Sequence, residues 1–165
     1  MEKIKRGFIE LIPYVVIIII ILLIKQFVCT TVIVHGASME DTLHNRDIMF
    51  LDKIGTRLFG INRFDIVVID TDDSKIIKRV IGLPGETVEY SNGVLYINGK
   101  EVEDNHSEKY TSDFGPIKLD ENSYYVLGDN RTNSVDSRML GPISKNRIIG
   151  HARFIIFPFT RFGSR

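Results

Sequence analysis

Sulfur chemistry is nearly absent from this sequence. Its 165 residues include one cysteine, Cys29. A lone cysteine excludes an intramolecular disulfide framework and every multi-cysteine zinc site. Net charge is absent too, because 21 Lys and Arg offset 21 Asp and Glu. That argues against a nucleic-acid binder working through bulk positive charge, and leaves room only for a local basic patch. Tryptophan is missing. There is no Gly-x-Ser-x-Gly elbow and no P-loop. The four histidines, at 35, 44, 106 and 151, never fall at helical zinc-site spacing. No metal, cofactor or nucleic-acid partner is expected. Nothing after Ile24 carries a long helical period, and no repeat of roughly 20 to 50 residues is visible.

What is present is unevenly placed. Met1-Glu-Lys-Ile-Lys-Arg6 precedes a charge-free apolar run from Leu11 to Ile24. At about 14 residues the run falls short of the ~20 needed to span a bilayer core. Phe8, Ile9 and the stretch from Phe27 to Val34 can extend it, with Lys25 snorkelling at one end. Three readings compete: a buried core helix, a cleaved secretory signal behind a basic flank, and a retained anchor. No small-x-small site follows, and Val15 to Ile24 is almost all Ile and Val, too uniformly apolar for one face of a soluble helix. The anchor fits best. Lys3, Lys5 and Arg6 then put the N-terminus in the cytoplasm and the remainder outside, on a single-pass plasma-membrane protein. Residues 1–27 form the anchor and 28–165 the extracytoplasmic domain.

From about Val28 the pattern turns to β. Thr30 to Val34, Ile48 to Leu51, Asp65 to Ile69 and Ile76 to Ile81 read as short strands. Thr87 to Tyr90, Val94 to Ile97 and Glu101-Val102 are separated by Asn92-Gly93 and Asn98-Gly99, which favour type I′ hairpins. These three make an antiparallel meander. Residues 103 to 120 read as a polar, exposed excursion, with Asp72, Asp73 and the acids near 101 to 108 as solvated loop charge. Ser123 to Leu127 and Ile148 to Phe157 are the last strands. The fold class is all-β: one antiparallel domain behind one N-terminal helix.

Three segments carry chemistry. In Val34-His-Gly-Ala-Ser38-Met39 a strand ends, a glycine permits a tight turn and a serine is presented; an ordinary Ser turn explains this equally well. In Ile76-Ile-Lys78-Arg79-Val80-Ile81, Lys78 shares a face with Ile76 and Val80. If that face is covered, desolvation lowers the lysine pKa and a neutral lysine is a general base. If it is an edge, the charges are solvated. Gly128 to Arg138 packs spaced Arg, Asp and Ser residues beyond what an Asx-rich loop needs for its own backbone. The histidines read as exposed polar side chains, although His35 and His44 flank the Ser38 turn.

Taken together, Gly36-x-Ser38-Met39-x-x-Thr42-Leu43, Lys78-Arg79-Val80-Ile81-Gly82-Leu83-Pro84-Gly85-Glu86 and Gly128-Asp129-Asn130-Arg131-x-x-Ser134-x-Asp136-Ser137-Arg138 resemble the signature boxes of type I signal peptidases. Arg63-Phe64-Asp65-Ile66-Val67-Val68 and Phe157-Pro158-x-x-Arg161-Phe162-Gly163 are similar to two further family segments. The boxes occur in family order, from about residue 32 onward, in the glycine form of Gram-positive members. The resemblance implies a Ser/Lys dyad that hydrolyses peptide bonds in the signal peptides of exported preproteins. Ser38 is the implied nucleophile and Lys78 its base. Ser134 is implied to hydrogen-bond and orient Lys78. Asp136 is expected to pair with Arg138, and with Arg79 as a second partner. The oxyanion hole is expected at the Ser38 N–H and at Gly36, which stands where many relatives add a hydroxyl donor and itself offers no side chain. Val32, Val34, Met39, Leu43 and Ile77 are the implied lining of shallow apolar pockets selecting small side chains at −1 and −3. Lipid, and proximity to the secretion translocon, follow from the anchor.

Two departures from the family pattern stand out. Asp41 replaces a proline behind Ser38, and Phe64 replaces a glycine before Asp65, which suggests an altered bend or added membrane-facing surface. A self-cleaving Ser/Lys protease and a membrane-tethered module that only binds an exported partner remain alternatives. The first pairs its dyad with a DNA-binding domain rather than an apolar run.

Overall fold

A computed structural model describes residues 2–40, 42–107 and 110–164. Asp41 therefore lies outside the described residues. Helix α1 (Glu2–Leu23) continues through one π-turn, Ile24–Val28, directly into strand β1 (Cys29–Ile33). The window Leu11–Val28 has a mean hydropathy of 2.7, and none of it is buried. That removes the buried-core reading of the apolar run. By length and composition this helix can cross a membrane.

The larger sheet contains β1, β2 (Ile48–Asp52), β3 (Ile66–Asp70), β4 (Lys75–Gly82), β9 (Ser123–Leu127), β10 (Ile143–Ser144), β11 (Ile148–Phe157) and β12 (Gly163–Ser164). Its order is β1-β2-β11-β3-β4-β9-β10, with β12 on β11, and all pairs are antiparallel. Strand β3 is Ile-Val-Val-Ile because both its faces are covered. Ile66 and Val68 join Val34, Met39, Leu43 and Ile77 in one core cluster. Val67 and Ile69 join Ile76, Val80 and Val126 in another.

The smaller sheet has the order β7-β6-β5-β8, from β5 (Thr87–Ser91), β6 (Val94–Ile97), β7 (Lys100–Val102) and β8 (Phe114–Lys118). Both Asn-Gly turns are as expected: φ is 53° at Asn92 and 80° at Gly93, then 53° at Asn98 and 75° at Gly99. The two sheets meet at Gly82, where the β4–β9 register shifts. Arg63 joins them as well, donating to Glu86 Oε2 at 2.9 Å and Oε1 at 2.6 Å, and to the Ile81 carbonyl at 2.6 Å. Two short helices, α2 (Lys53–Phe59) and α3 (Ser137–Leu140), complete the fold.

The structure corrects three expectations. The 103–120 stretch is not simply an exposed excursion: it contains β8, and Thr111 and Leu119 are buried. Within it the Asp104 side chain is buried against Arg131 at 2.6 Å, because a guanidinium taken out of water needs a carboxylate. His151 is buried rather than exposed; burial, outweighing the pull of Asp65, lowers its pKa and keeps it neutral. Phe64 is half-buried. It packs on the smaller sheet's core and stacks on His106 with ring centroids 4.5 Å apart. Its φ of 70° is the left-handed conformation that a glycine at this position adopts without strain.

Gly82 and Gly99 should respond differently to alanine. A Cβ at Gly82 would overlap Val88 and lie 2.9 Å from Leu119 Cδ1, so Gly82→Ala should cost about 1–3 kcal/mol through overpacking. Gly99 has open space but a positive φ, so Gly99→Ala should cost only about 1–2 kcal/mol of backbone strain. Urea unfolding of the detergent-solubilised variants checks both, and only Gly82→Ala should loosen the contact between the sheets.

Candidate active site

Three chain segments converge at the end of β1. After Val34, Gly36 turns the backbone with φ of 87°, and Ser38-Met39-Glu40 begins a tight turn closed by Thr42 and Leu43 N–H donating to the Met39 carbonyl. Met39 and Leu43 drive this turn into the core. Strand β4 brings Lys78 alongside, opposite Val67 on β3. Lys78 is 3% exposed, so the covered-face alternative holds and the solvated-edge one does not. Its Nζ donates to Ser38 Oγ over 2.7 Å. Burial lowers the Lys78 pKa to about 8, against the opposing pull of Asp136 and Asp129. Near that pH the ammonium readily becomes a neutral amine, and the hydrogen bond reverses so that Ser38 O–H donates to Nζ.

The third segment is the Gly128–Arg138 loop after β9. Asn130 N–H donates to the Ser38 carbonyl at 3.0 Å, and its Nδ2 donates to the Ala37 carbonyl at 2.9 Å. Gly128 is needed for this closeness: a Cβ there would lie 2.5 Å from the Ser38 carbonyl oxygen and overlap Ser134 Oγ. Asp136 accepts from Arg138 Nε at 2.9 Å and Nη2 at 2.8 Å, and from Gly128 N–H at 3.1 Å. Burial alone would raise the Asp136 pKa, but Arg138 and Gly128 outweigh it and hold the carboxylate ionised.

The geometry departs from expectation at four residues. Arg79 does not pair with Asp136. It binds Asp129, with Nε at 2.8 Å from Oδ1 and Nη2 at 2.6 Å from Oδ2. The reason is register: Arg79 lies opposite Leu127, so Asp129, two residues on, falls within its reach. Ser134 does not bond Lys78. Its Oγ is buried and serves Asp136 instead, favouring that carboxylate's charge. Gly36 N–H already donates to Asn45 Oδ1 at 3.2 Å, so this position offers neither a side chain nor a spare backbone donor. Leu43 is fully buried in the core and lines no groove wall, because the tight turn points it inward.

The remaining implied pocket residues do meet. A groove of about 630 Å³ runs between β1 and β4, lined by Val32, Val34, Met39, Ile77, Ser38 and Lys78 among others. Its walls are open strand edges. β1 ends the sheet, and β9 covers the second edge of β4 only from Arg79 onward.

Several residues that hold the site carry no role in the sequence reading. Thr42 Oγ1 donates to Asp129 at 2.5 Å. Arg161 donates to Asp47 at 2.5 Å and to the Thr42 carbonyl at 2.8 Å, tying the C-terminal segment to the nucleophile turn. Asp129, Asn130, Thr42 and Arg161 all sit inside the motif segments, which is their only signal. Asp47, outside them, has none.

Asp129→Ala should leave the Arg79 charge buried and unpaired, at about 3–5 kcal/mol. Urea unfolding should show this loss, with a much smaller one for a substitution at the exposed Asp72.

The family model described as signal peptidase, peptidase S26, matches residues 8–157. Signal peptidase I S of Bacillus subtilis (strain 168) is 41% identical over 169 residues, covering 94% of this chain and 92% of that one. A signal peptidase I of Bacillus amyloliquefaciens is 43% identical over 159 residues, covering 88% and 82%. The crystal structure of a signal peptidase I from Enterococcus faecalis V583 aligns with a TM-score of 0.50 at 36% identity, covering 55% of this chain and 95% of that one. The chain therefore belongs to the signal peptidase family, peptidase S26, and is a serine peptidase.

Proposed function

We propose that this protein removes N-terminal signal peptides from exported preproteins, cutting after small-x-small sequences with Ser38 and Lys78 as its dyad. The observation that carries this reading is the 2.7 Å contact between Ser38 Oγ and a Lys78 buried to 3% exposure. Neutral Lys78 takes the Ser38 proton as Oγ attacks the scissile carbonyl carbon. The carbon–nitrogen bond then breaks, and the lysine passes the proton to the departing amine. Water, deprotonated by the same lysine, attacks the acyl carbon; the bond from that carbon to Ser38 Oγ breaks, the signal peptide leaves, and the lysine returns the proton to Oγ. The Ser38 N–H, which has no acceptor among the described residues, serves the developing oxyanion.

Substrate binds by strand addition in the groove. An extended segment between the two open edges sends alternate side chains toward Val32, Val34, Met39 and Ile77, which leaves room for small residues. Helix α1 anchors residues 28–165 on the outer face of the plasma membrane, with the N-terminus in the cytoplasm, among lipid and near the translocon. This reading is supported by the continuous passage from α1 through the π-turn into β1, which sets the groove where the apolar helix ends.

The test is cleavage of a preprotein carrying an Ala-x-Ala site by the detergent-solubilised chain. Mass analysis should find the cut after the second alanine. Ser38→Ala should abolish it. Lys78→Arg should reduce kcat/KM by at least ~10³-fold, because arginine stays protonated. For the intact chain, kcat/KM should rise with pH and level off above about 8, where Lys78 loses its proton. A Lys78→Arg variant of near-normal activity would remove the lysine from the chemistry.

A further inference from the structure

A second depression lies at Ser134, which packs on Gly128 beside the Ser38 carbonyl. It measures about 420 Å³ and is lined by Tyr110, Ser112, Ser134, Arg138 and Met139 among others. Two of these side chains are large, apolar in body and strongly exposed: Met139 at 72% and Tyr110 at 64%. Neither takes part in the dyad chemistry or the groove.

Strand direction relates this depression to the groove. With every pairing from β1 through β2, β11 and β3 to β4 antiparallel, β1 and β4 run in the same sense. Thr31 and Lys75 line the groove and also a neighbouring pocket walled by Ile19, Leu22 and Phe27. The groove thus starts at the apolar helix and ends at Ser38 and Lys78. One residue further along β4, at Arg79, β9 occupies the edge. A bound chain cannot continue as an added strand on β4 there, and the neighbouring surface is the Gly128–Arg138 loop, which Asn130 fastens to Ser38. Ser134 lies in that loop. It lines the depression, and its Oγ is buried and packed against Gly128, whose other close neighbour is the Ser38 carbonyl.

We infer that the depression beside Ser134 is a subsite for the first residues of the mature protein, those just after the scissile bond. It rests on the signal-peptidase reading above and concerns the other half of the same substrate. The occupant is an extended segment carrying an apolar side chain against Met139 and Tyr110. Arg131 and Arg138 contribute to the lining but are already paired with Asp104 and Asp136, so selection rests on the apolar bodies of Met139 and Tyr110, and a lysine, which would lose water against them, is disfavoured.

The experiment compares two peptides with the same Ala-x-Ala half, one ending a single residue after the cut and one extended by five residues including a leucine. Extension should raise kcat/KM for the intact chain. The Tyr110→Ala, Met139→Ala double variant should lower the ratio of extended to short substrate by about five-fold. Both side chains are exposed, so folding is not at stake. As a measurement needing no variant, replacing the leucine and its neighbour by lysines should remove the benefit of extension. An unchanged ratio in the double variant, or lysine peptides cut as fast as leucine ones, would overturn the subsite while leaving the dyad intact. Failure of the intact chain to cut either peptide would overturn the dyad reading, and the subsite with it.

Discussion

Burial of Lys78 beside Ser38 is the constraint on which the rest of the site depends, because a lysine can act as the proposed base only when its charge is made unfavourable. Burial of Lys78 lowers its pKa, yet two carboxylates, Asp129 and Asp136, act from nearby to raise it. Left unpaired, they would hold the lysine as an ammonium. Each instead has its own arginine: Arg79 grips Asp129 and Arg138 grips Asp136. The arginines shield Lys78 from the full field of these carboxylates, and desolvation prevails. Because both pairs are largely buried, the site tolerates loss of neither partner cheaply.

The same carboxylates also hold the backbone. Asp129 accepts from Thr42 in the nucleophile turn, and Asp136 accepts from Gly128 N–H, caps α3 and fixes the loop that Asn130 fastens to Ser38. Arg161 adds a tie from the far end of the chain. Charge control and positioning are therefore one network. The sheet contributes an interruption: β9 reaches β4 only at Arg79, which leaves the edge open up to Lys78 and closes it one residue later. The groove thus ends at Ser38 and Lys78.

Much of this architecture is legible in the sequence, and the reasons are local. The Asn-Gly turns are visible because positive φ at two successive residues selects those side chains. The strands show because a strand covered on both faces must be apolar throughout, as in Ile66-Val-Val-Ile69. Ser38, Lys78 and the Gly128–Arg138 loop are visible because reactive residue types at close spacing keep their identity along the chain. Less visible is the burial of Asp104 and His151, since a charged or polar residue in a polar stretch looks solvated until its distant partner is known. Phe64 stands out as a departure, but only the structure relates it to a left-handed backbone and a histidine stack.

The sequence by itself determined the apolar helix, the β character of the chain beyond it, the family and the two residues, Ser38 and Lys78, on which the proposed dyad rests. Each rests on residue types and short-range periodicity. Only the tertiary structure decided which arginine serves which carboxylate, that Ser134 stands apart from Lys78, that Leu43 belongs to the core, and that two open edges face one another across a groove. Those are facts about strand register and about contacts between segments tens of residues apart. A shift of one residue in register would have exchanged the faces.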